Sequence, residues 1–179
     1  MGIEIERRFL VDGRDSKPWR SDRKSHIFQV YLRDVKIIDN NIVWDGQNLA
    51  SLDSEISNIA SWRIRLIGEE VILTAKGNKI GSKAEEFEWD LPLEIYNNLA
   101  IDGLPSISKV RYYWNGNDGM LWEIDEFESP LSGIIIAEVE LEDENQTIEI
   151  PDWVGLEVTH LRGWSNASLS IMIGDSKPN

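Results

Sequence analysis

The chain has no cysteine and only two histidines in 179 residues. Without cysteine there is no disulfide framework, no thiolate metal site and no thiol nucleophile. His26 and His160 stand far apart, and neither lies in the His-Glu-x-x-His spacing of a helical zinc site. Basic residues are scarce as well: 18 Lys and Arg against 32 Asp and Glu, a net charge of −14. A chain so acidic is a poor general partner for nucleic acid or an anionic membrane. A phosphate-bearing ligand would need a local basic pocket or a bound cation. Long apolar runs are missing. The longest aliphatic stretch, around Ile134-Ile135-Ile136-Ala137, is far short of a membrane span. The start, Met1-Gly2-Ile3-Glu4-Ile5-Glu6, carries charge almost at once and does not read as a secretory signal. The expectation is a cytoplasmic protein without a membrane partner. Neither a Walker loop nor a glycine-rich dinucleotide fingerprint occurs, so a conventional nucleotide fold is unsupported.

What is present is enough apolar residue, 41% with eight Trp, to bury a core in a chain of one-domain length, read here as residues 1–179. The dominant period is two, which predicts strands over 3–11, 26–38, 61–67, 70–76, 84–91, 107–114, 120–127 and 134–142. Asn115-Gly116-Asn117-Asp118-Gly119 is a strong hairpin signal between two of them. Helices are expected from Pro92 to about residue 100, and from Ser165-Asn166 to just before Gly174. Residues 35–38 and 42–44 flank Asp39-Asn40-Asn41 as a hairpin. Residues 45–60 are polar and weakly periodic, and the tail from 175 to 179 is expected to fray.

The informative pattern is charge at i and i+2, positions that share a strand face. Glu4 and Glu6 are followed on one face by Arg8. Then come Arg63/Arg65, Glu86/Glu88, Lys109/Arg111, Glu123/Asp125 and Glu138/Glu140. The intervening positions are mostly large and apolar, among them Ile5, Trp62, Ile64, Phe87, Trp89, Val110, Trp122, Ile124 and Val139. Any one such pair is an ordinary solvated strand face. Same-sign neighbours repel, however, and here they recur in both signs. If the charged faces turned into a closed barrel, carboxylates suited to a hard cation and bases suited to an oxyanion would line one cavity. Lys76, at the end of the predicted 70–76 strand, fits the same arrangement.

At this point the residues resemble the CYTH superfamily, the triphosphate tunnel metalloenzymes. Glu4-Ile5-Glu6-Arg7-Arg8 is similar to its N-terminal Glu-x-Glu-x-Lys signature. Gln29-Val30-Tyr31-Leu32, Trp62-Arg63-Ile64-Arg65-Leu66, Thr74-Ala75-Lys76, Glu86-Phe87-Glu88, Lys109-Val110-Arg111, Trp122-Glu123-Ile124-Asp125 and Ala137-Glu138-Val139-Glu140 follow in family order. Glu157-Val158-Thr159 resembles the closing Glu-Val-Thr motif, with Ser165-Asn166 after it.

The resemblance implies a mainly β, α+β fold: an eight-stranded antiparallel barrel, or tunnel, with a few flanking helices. It implies a Mg²⁺- or Mn²⁺-dependent enzyme acting on a small-molecule triphosphate, foremost the hydrolysis of inorganic tripolyphosphate to pyrophosphate and phosphate. Thiamine triphosphatase and class IV-type adenylate cyclase are the enzymatic alternatives, and a non-catalytic polyphosphate or nucleotide binder is the alternative of another class. A homodimer is compatible with the chain. By resemblance, Glu4, Glu6, Glu138 and Glu140 are the main metal ligands, with Glu88, Asp125 and Glu157 as further candidates. Arg8, Arg63, Arg65, Lys76, Lys109, Arg111 and Arg162 form the phosphate-binding set, with Arg8 and Lys76 placed at the chemistry. Arg8 stands where the signature usually has Lys, and an Arg cannot serve as a general base. Trp164 replaces a common Tyr. The segment 34–60 is longer than the usual connection and is expected to cover a tunnel mouth.

Overall fold

Alternation of charged and apolar residues turns this protein inside out: charge lines the interior of a barrel, and the hydrophobic cores lie on its outer face. The computed structural model describes residues 2–21 and 23–176. The strands are β1 (Gly2–Val11), β2 (Arg23–Leu32), β3 (Lys36–Ile38), β4 (Asn41–Trp44), β5 (Gln47–Ser51), β6 (Ile59–Ile67), β7 (Glu70–Gly77), β8 (Lys83–Asp90), β9 (Ser106–Asn115), β10 (Leu121–Phe127), β11 (Ile135–Glu140) and β12 (Val154–Glu157). The helices are α1 (Leu93–Asn97) and α2 (Asn166–Ser176), with a short 3-10 turn at Pro18–Ser21. Eight strands run in the order β11-β10-β9-β2-β6-β7-β8-β1, and β11 pairs back onto β1 to close the barrel. Closure leaves no open sheet edge in the ring.

Strand register decides which residues face inward. Glu6 lies opposite Glu140 and Arg8 opposite Glu138. Lys76 lies opposite Glu86, Tyr31 opposite Arg63, and Asp125 opposite Arg111. The odd residues of β1 face out. Ile5, Phe9 and Val11 join Trp19, Trp122, Ile124 and Val139 in one outer core, onto which Trp153 packs. On the opposite wall, Leu32, Ile64, Leu73 and Phe87 form a second outer core. At one end the inward positions become apolar: Ile107, Phe127 and Ile136 pack with Leu169 of α2 and with Leu10. This apolar cluster packs the barrel against α2.

Several sequence-based expectations change here. The predicted strand 26–38 is two elements. β2 starts at Arg23 and ends at Leu32, and Asp34, at φ 60°, turns the chain into β3 of a separate sheet. The Asp39-Asn40 hairpin forms, both residues at positive φ, as short polar side chains tolerate. A third strand, β5, extends this sheet across the Asp45-Gly46 turn. The three-stranded sheet does not cover a tunnel mouth. Its Ile42, Trp44 and Leu49, with Leu52 and Ile56 beyond it, join the outer core against β6 and β7, because a sheet with one apolar face needs an apolar wall. The first helix is short, Leu93–Asn97, because the chain turns at Asn98. The second runs through Gly174 to Ser176; the rest of the tail, 177–179, lies outside the described residues. β12 was not expected; it pairs with the far end of β1. Among the described residues no helix is long and apolar enough to cross a membrane.

Candidate active site

The paired charges converge because alternate residues of every barrel strand point inward, and their long side chains reach across a neighbouring strand. Lys76 of β7 donates to Glu4 of β1 and lies 3.7 Å from Glu6 and 3.5 Å from Glu86. Arg8 is buried. Its Nη1 donates to Glu138 Oε1 at 2.7 Å and its Nη2 to the Trp164 carbonyl at 2.8 Å. Asp125 is fully buried and accepts from Lys109 Nζ at 2.5 Å and from Arg111 Nε and Nη2 at 2.7 and 2.8 Å. Arg111 also pairs with Glu123. Arg65 reaches Glu88 at 3.1 Å, and Glu88 accepts from Thr74. Arg63 approaches Glu86 at 3.8 Å.

Two spaces meet at the Lys76–Glu4–Glu6 waist. One is a cavity of about 270 Å³ whose polar wall includes Glu6, Arg8, Tyr31, Arg63, Lys76 and Lys79. Val158, Leu161, Trp164 and the first turn of α2 form its outer wall. The other is acidic. Glu4, Glu6, Glu123, Glu138 and Glu140 line about 130 Å³, which continues at the tunnel mouth past Glu86 and Glu88. Charge is therefore sorted along the tunnel.

The electrostatics follow from this sorting. Burial pushes the Glu6 carboxyl up, but Lys76, helped by Arg8 and Lys79, outweighs it and holds Glu6 below its ordinary value. Glu140 is raised by burial and by the like charges of Glu4, Glu86 and Glu6. Burial also raises Glu123, against the pull of Arg111. For Arg8, burial is outweighed by Glu138, Glu6 and Asp125, so it stays charged. Burial, with the neighbouring charge of Arg63, lowers Arg65. Burial and the surrounding cations act in opposite senses on Tyr31, and burial prevails, keeping the phenol protonated.

Both ligand types find suitable groups. The Nε atoms of Arg8, Arg63 and Arg65 are buried without a partner, as donors directed at an anion would be. Glu4, Glu6, Glu138 and Glu140 offer only hard carboxylate oxygens, the donor type of a divalent cation such as Mg²⁺ or Mn²⁺. Their mutual repulsion is what such an ion relieves. Among the described residues no three carboxylates or imidazoles already close around one point. Lys76 and Arg8 hold three of these carboxylates instead.

Other expected site residues lie elsewhere. Glu157 sits on the outer side of the barrel, opposite Phe9, in a bidentate pair with Arg7 at 2.8 Å. It does not join the tunnel carboxylates, because β12 adds to β1 from outside the ring. Arg162 is exposed on the loop before α2 and does not line the cavity. Lys109 and Arg111 are inside, but their charges are met by Asp125 and they do not line the cavity either. Asp125, so held, faces no open space for a metal. Tyr31 and Lys79 also line the cavity, and neither was among the expected residues. Tyr31 carried a signal, being two residues from Gln29 on a tunnel-facing strand; Lys79 lies in a turn, where strand alternation gives none. Replacing Glu157 by Gln is expected to leave hydrolysis within about twofold and stability within about 1 kcal/mol, as for an exposed ion pair. A larger loss of rate in a phosphate-release assay would return Glu157 to the site.

A closed antiparallel barrel carrying opposed acidic and basic side chains inside it defines a charged tunnel protein. Residues 54–168 match the CYTH domain family, and the chain belongs to that family. It is similar to an inorganic triphosphatase of Acetivibrio thermocellus, at 31% identity over 171 residues, with 94% of each chain covered. An inorganic triphosphatase of Nitrosomonas europaea is 33% identical over 115 residues, 62% of this chain and 75% of the relative. A crystal structure of an inorganic triphosphatase superposes with a TM-score of 0.60 at 27% identity, covering 100% of this chain and 99% of its own.

Proposed function

We propose that this protein is a divalent-metal-dependent inorganic triphosphatase, which converts tripolyphosphate to pyrophosphate and phosphate. The observation that carries the reading is the meeting of a cationic cavity and a carboxylate-lined space at Lys76, in a chain whose relatives bear that name. The functional unit in this reading is the whole chain, since β1 precedes the family-matched segment and supplies Glu4, Glu6 and Arg8.

Glu4, Glu6, Glu138 and Glu140 would hold Mg²⁺ or Mn²⁺. That ion, when bound, offsets phosphate charge and makes a water more acidic. The chain's own part is positioning. Arg63, in the cavity wall, would offer its guanidinium to phosphate oxygens, and Arg65, paired with Glu88, would add positive charge. Lys76 spans from the carboxylates to the phosphate chain. Arg8 stays protonated and so contributes charge and orientation, not proton abstraction. Trp164 and Leu161 restrict water at the outer wall. Water oxygen bonds to the terminal phosphorus as the bridging P–O bond opposite it breaks; pyrophosphate leaves with the bridging oxygen and its electron pair, and the water's proton passes to solvent or to the pyrophosphate. Such a transfer is driven by positioning and electrostatics, with little covalent work for the protein.

Arg8 also explains why a change to Lys is not a repair. Its two Nη atoms bridge Glu138 and the Trp164 carbonyl at once. Lysine lacks that fork, so Arg8→Lys is expected to lower hydrolysis about tenfold, the effect of one lost charge-assisted bond. A rate equal to or above wild type would show that the bridge does not matter. The reading itself is tested by ion-exchange separation of the products of tripolyphosphate. Equal amounts of phosphate and pyrophosphate are expected; cyclic AMP from ATP without tripolyphosphate cleavage would replace hydrolysis with cyclisation.

A further inference from the structure

We propose that Lys79, on the hairpin between β7 and β8, is a substrate-binding residue that takes the outermost phosphate of the chain, and that the anion reaches the site only from the α2 side. The inference rests on the triphosphatase reading and adds a contact and a direction to it.

Most cations inside the barrel are already engaged by carboxylates. Lys109 and Arg111 are committed to Asp125. Lys76 is surrounded by Glu4, Glu6 and Glu86. Arg8 is held by Glu138 and the Trp164 carbonyl. Of the cavity's cations, Arg63 and Lys79 have the loosest carboxylate contacts. Arg63 lies 3.8 Å from Glu86, and Lys79 Nζ lies 3.5 Å from Glu6 Oε1. A lysine at a hairpin turn ordinarily extends into water. Lys79 instead lines the cavity, and its side chain is 31% exposed.

Direction follows from the charge on each side of the waist. Beyond Lys76 the space is walled by Glu4, Glu6, Glu123, Glu138 and Glu140, with Glu86 and Glu88 at the mouth. The charged residues lining that side are all carboxylates, and the nearby Arg65 and Arg111 are already paired with Glu88 and Glu123. On the other side the cavity is lined by Lys79, Lys76 and Arg63, with Asn166 and the first turn of α2 alongside; their side chains are 31%, 23% and 15% exposed, so Lys79 is the most open of the three. Positive charge at the only favourable mouth also steers a polyanion toward a protein of net charge −14, whose remaining surface repels it.

The test compares Lys79→Gln, Lys79→Arg and Lys36→Gln; Lys36 is exposed on β3, outside the barrel, and controls for loss of one charge. Binding of tripolyphosphate is read by calorimetry in EDTA at low ionic strength, and KM and kcat by phosphate release with Mg²⁺. Lys79→Gln is expected to weaken binding and raise KM about tenfold, with kcat within about twofold; Lys79→Arg should restore most of the loss, and Lys36→Gln should change neither. Unchanged binding in Lys79→Gln, or an equal loss in Lys36→Gln, overturns the proposal. Wild-type binding that depends on Lys79 without hydrolysis supports the subsite and overturns the triphosphatase reading. Absence of wild-type binding in EDTA together with absence of hydrolysis with Mg²⁺ overturns both, and hydrolysis with a KM that Lys79→Gln leaves unchanged overturns the subsite alone.

Discussion

Replacing Glu4 and Glu140 together by Gln is expected to abolish metal-dependent hydrolysis, by at least about 10³-fold in kcat/KM, while the protein melts at or above the wild-type temperature at pH 8. The two expectations share one cause. Glu4 of β1 and Glu140 of β11 supply half of the proposed metal-binding carboxylates, and isosteric amides give up their charge. The double change gives up the Lys76–Glu4 ion pair, but Lys76 keeps Glu6 and Glu86, and the repulsion among Glu4, Glu6, Glu86 and Glu140 is relieved. β1 and β11 are held by backbone pairing from Glu6 to Leu10, and the acidic mouth is a region of repulsion. The Glu140 carboxyl is raised by burial and by Glu4, Glu86 and Glu6. A carboxyl raised on folding binds more protons folded than unfolded, so its contribution is favourable at low pH and is lost as pH rises through the folded value. The double variant lacks that loss, so its gain over wild type is larger at pH 8 than at pH 4, below the ordinary glutamate value. Phosphate release and melting curves at the two pH values check both parts. Retained activity would remove these carboxylates from the metal site.

Asp125→Asn should have the largest effect on stability. Asp125 and Lys109 are 0% and 1% exposed, and Arg111 is buried with them. Three charge-assisted bonds converge on that one carboxylate. Without it two cations remain buried beside each other, a loss of roughly 3–5 kcal/mol. For a chain of this size that is a fall of roughly 10 °C in Tm. The carboxyl is held well below its ordinary range, with burial opposing and Arg111 and Lys109 prevailing. A depressed carboxyl stabilises fully above its unfolded value near about 4 and loses that contribution as pH falls below it. Wild type and variant should therefore differ constantly at neutral pH and converge in acid. A Tm within about 2 °C of wild type at pH 7 would show that the buried cations find other partners.

The barrel and most of its interior were legible because a strand's period of two is rigid. Once Glu4, Glu6 and Arg8 share a face, closure fixes where that face points. Legibility failed where a position lies outside a regular strand. Lys79 is in a turn. Glu157 belongs to a motif of the family order, yet β12 joins β1 from outside, and only tertiary pairing places it with Arg7. The charges of Lys109 and Arg111 were read correctly as internal. Their engagement by Asp125 could not be read, since alternation gives the face of a side chain and not its partner. The extra sheet left one usable signal unread: Asp45-Gly46 is a two-residue hairpin turn between short apolar segments. Its docking on the outer wall follows from Ile42, Trp44 and Leu49, which need an apolar surface of the kind that Ile64 and Leu73 present there.

The central claim is that the tunnel's acidic and basic halves act together on one metal-bound triphosphate. Phosphate release from inorganic tripolyphosphate, measured with Mg²⁺, with Mn²⁺ and with EDTA, and with ATP in parallel, tests it most directly. The account expects metal-dependent release from tripolyphosphate, none in EDTA, and a much slower release from ATP. Release that persists in EDTA, or no release from tripolyphosphate with either metal, would contradict it.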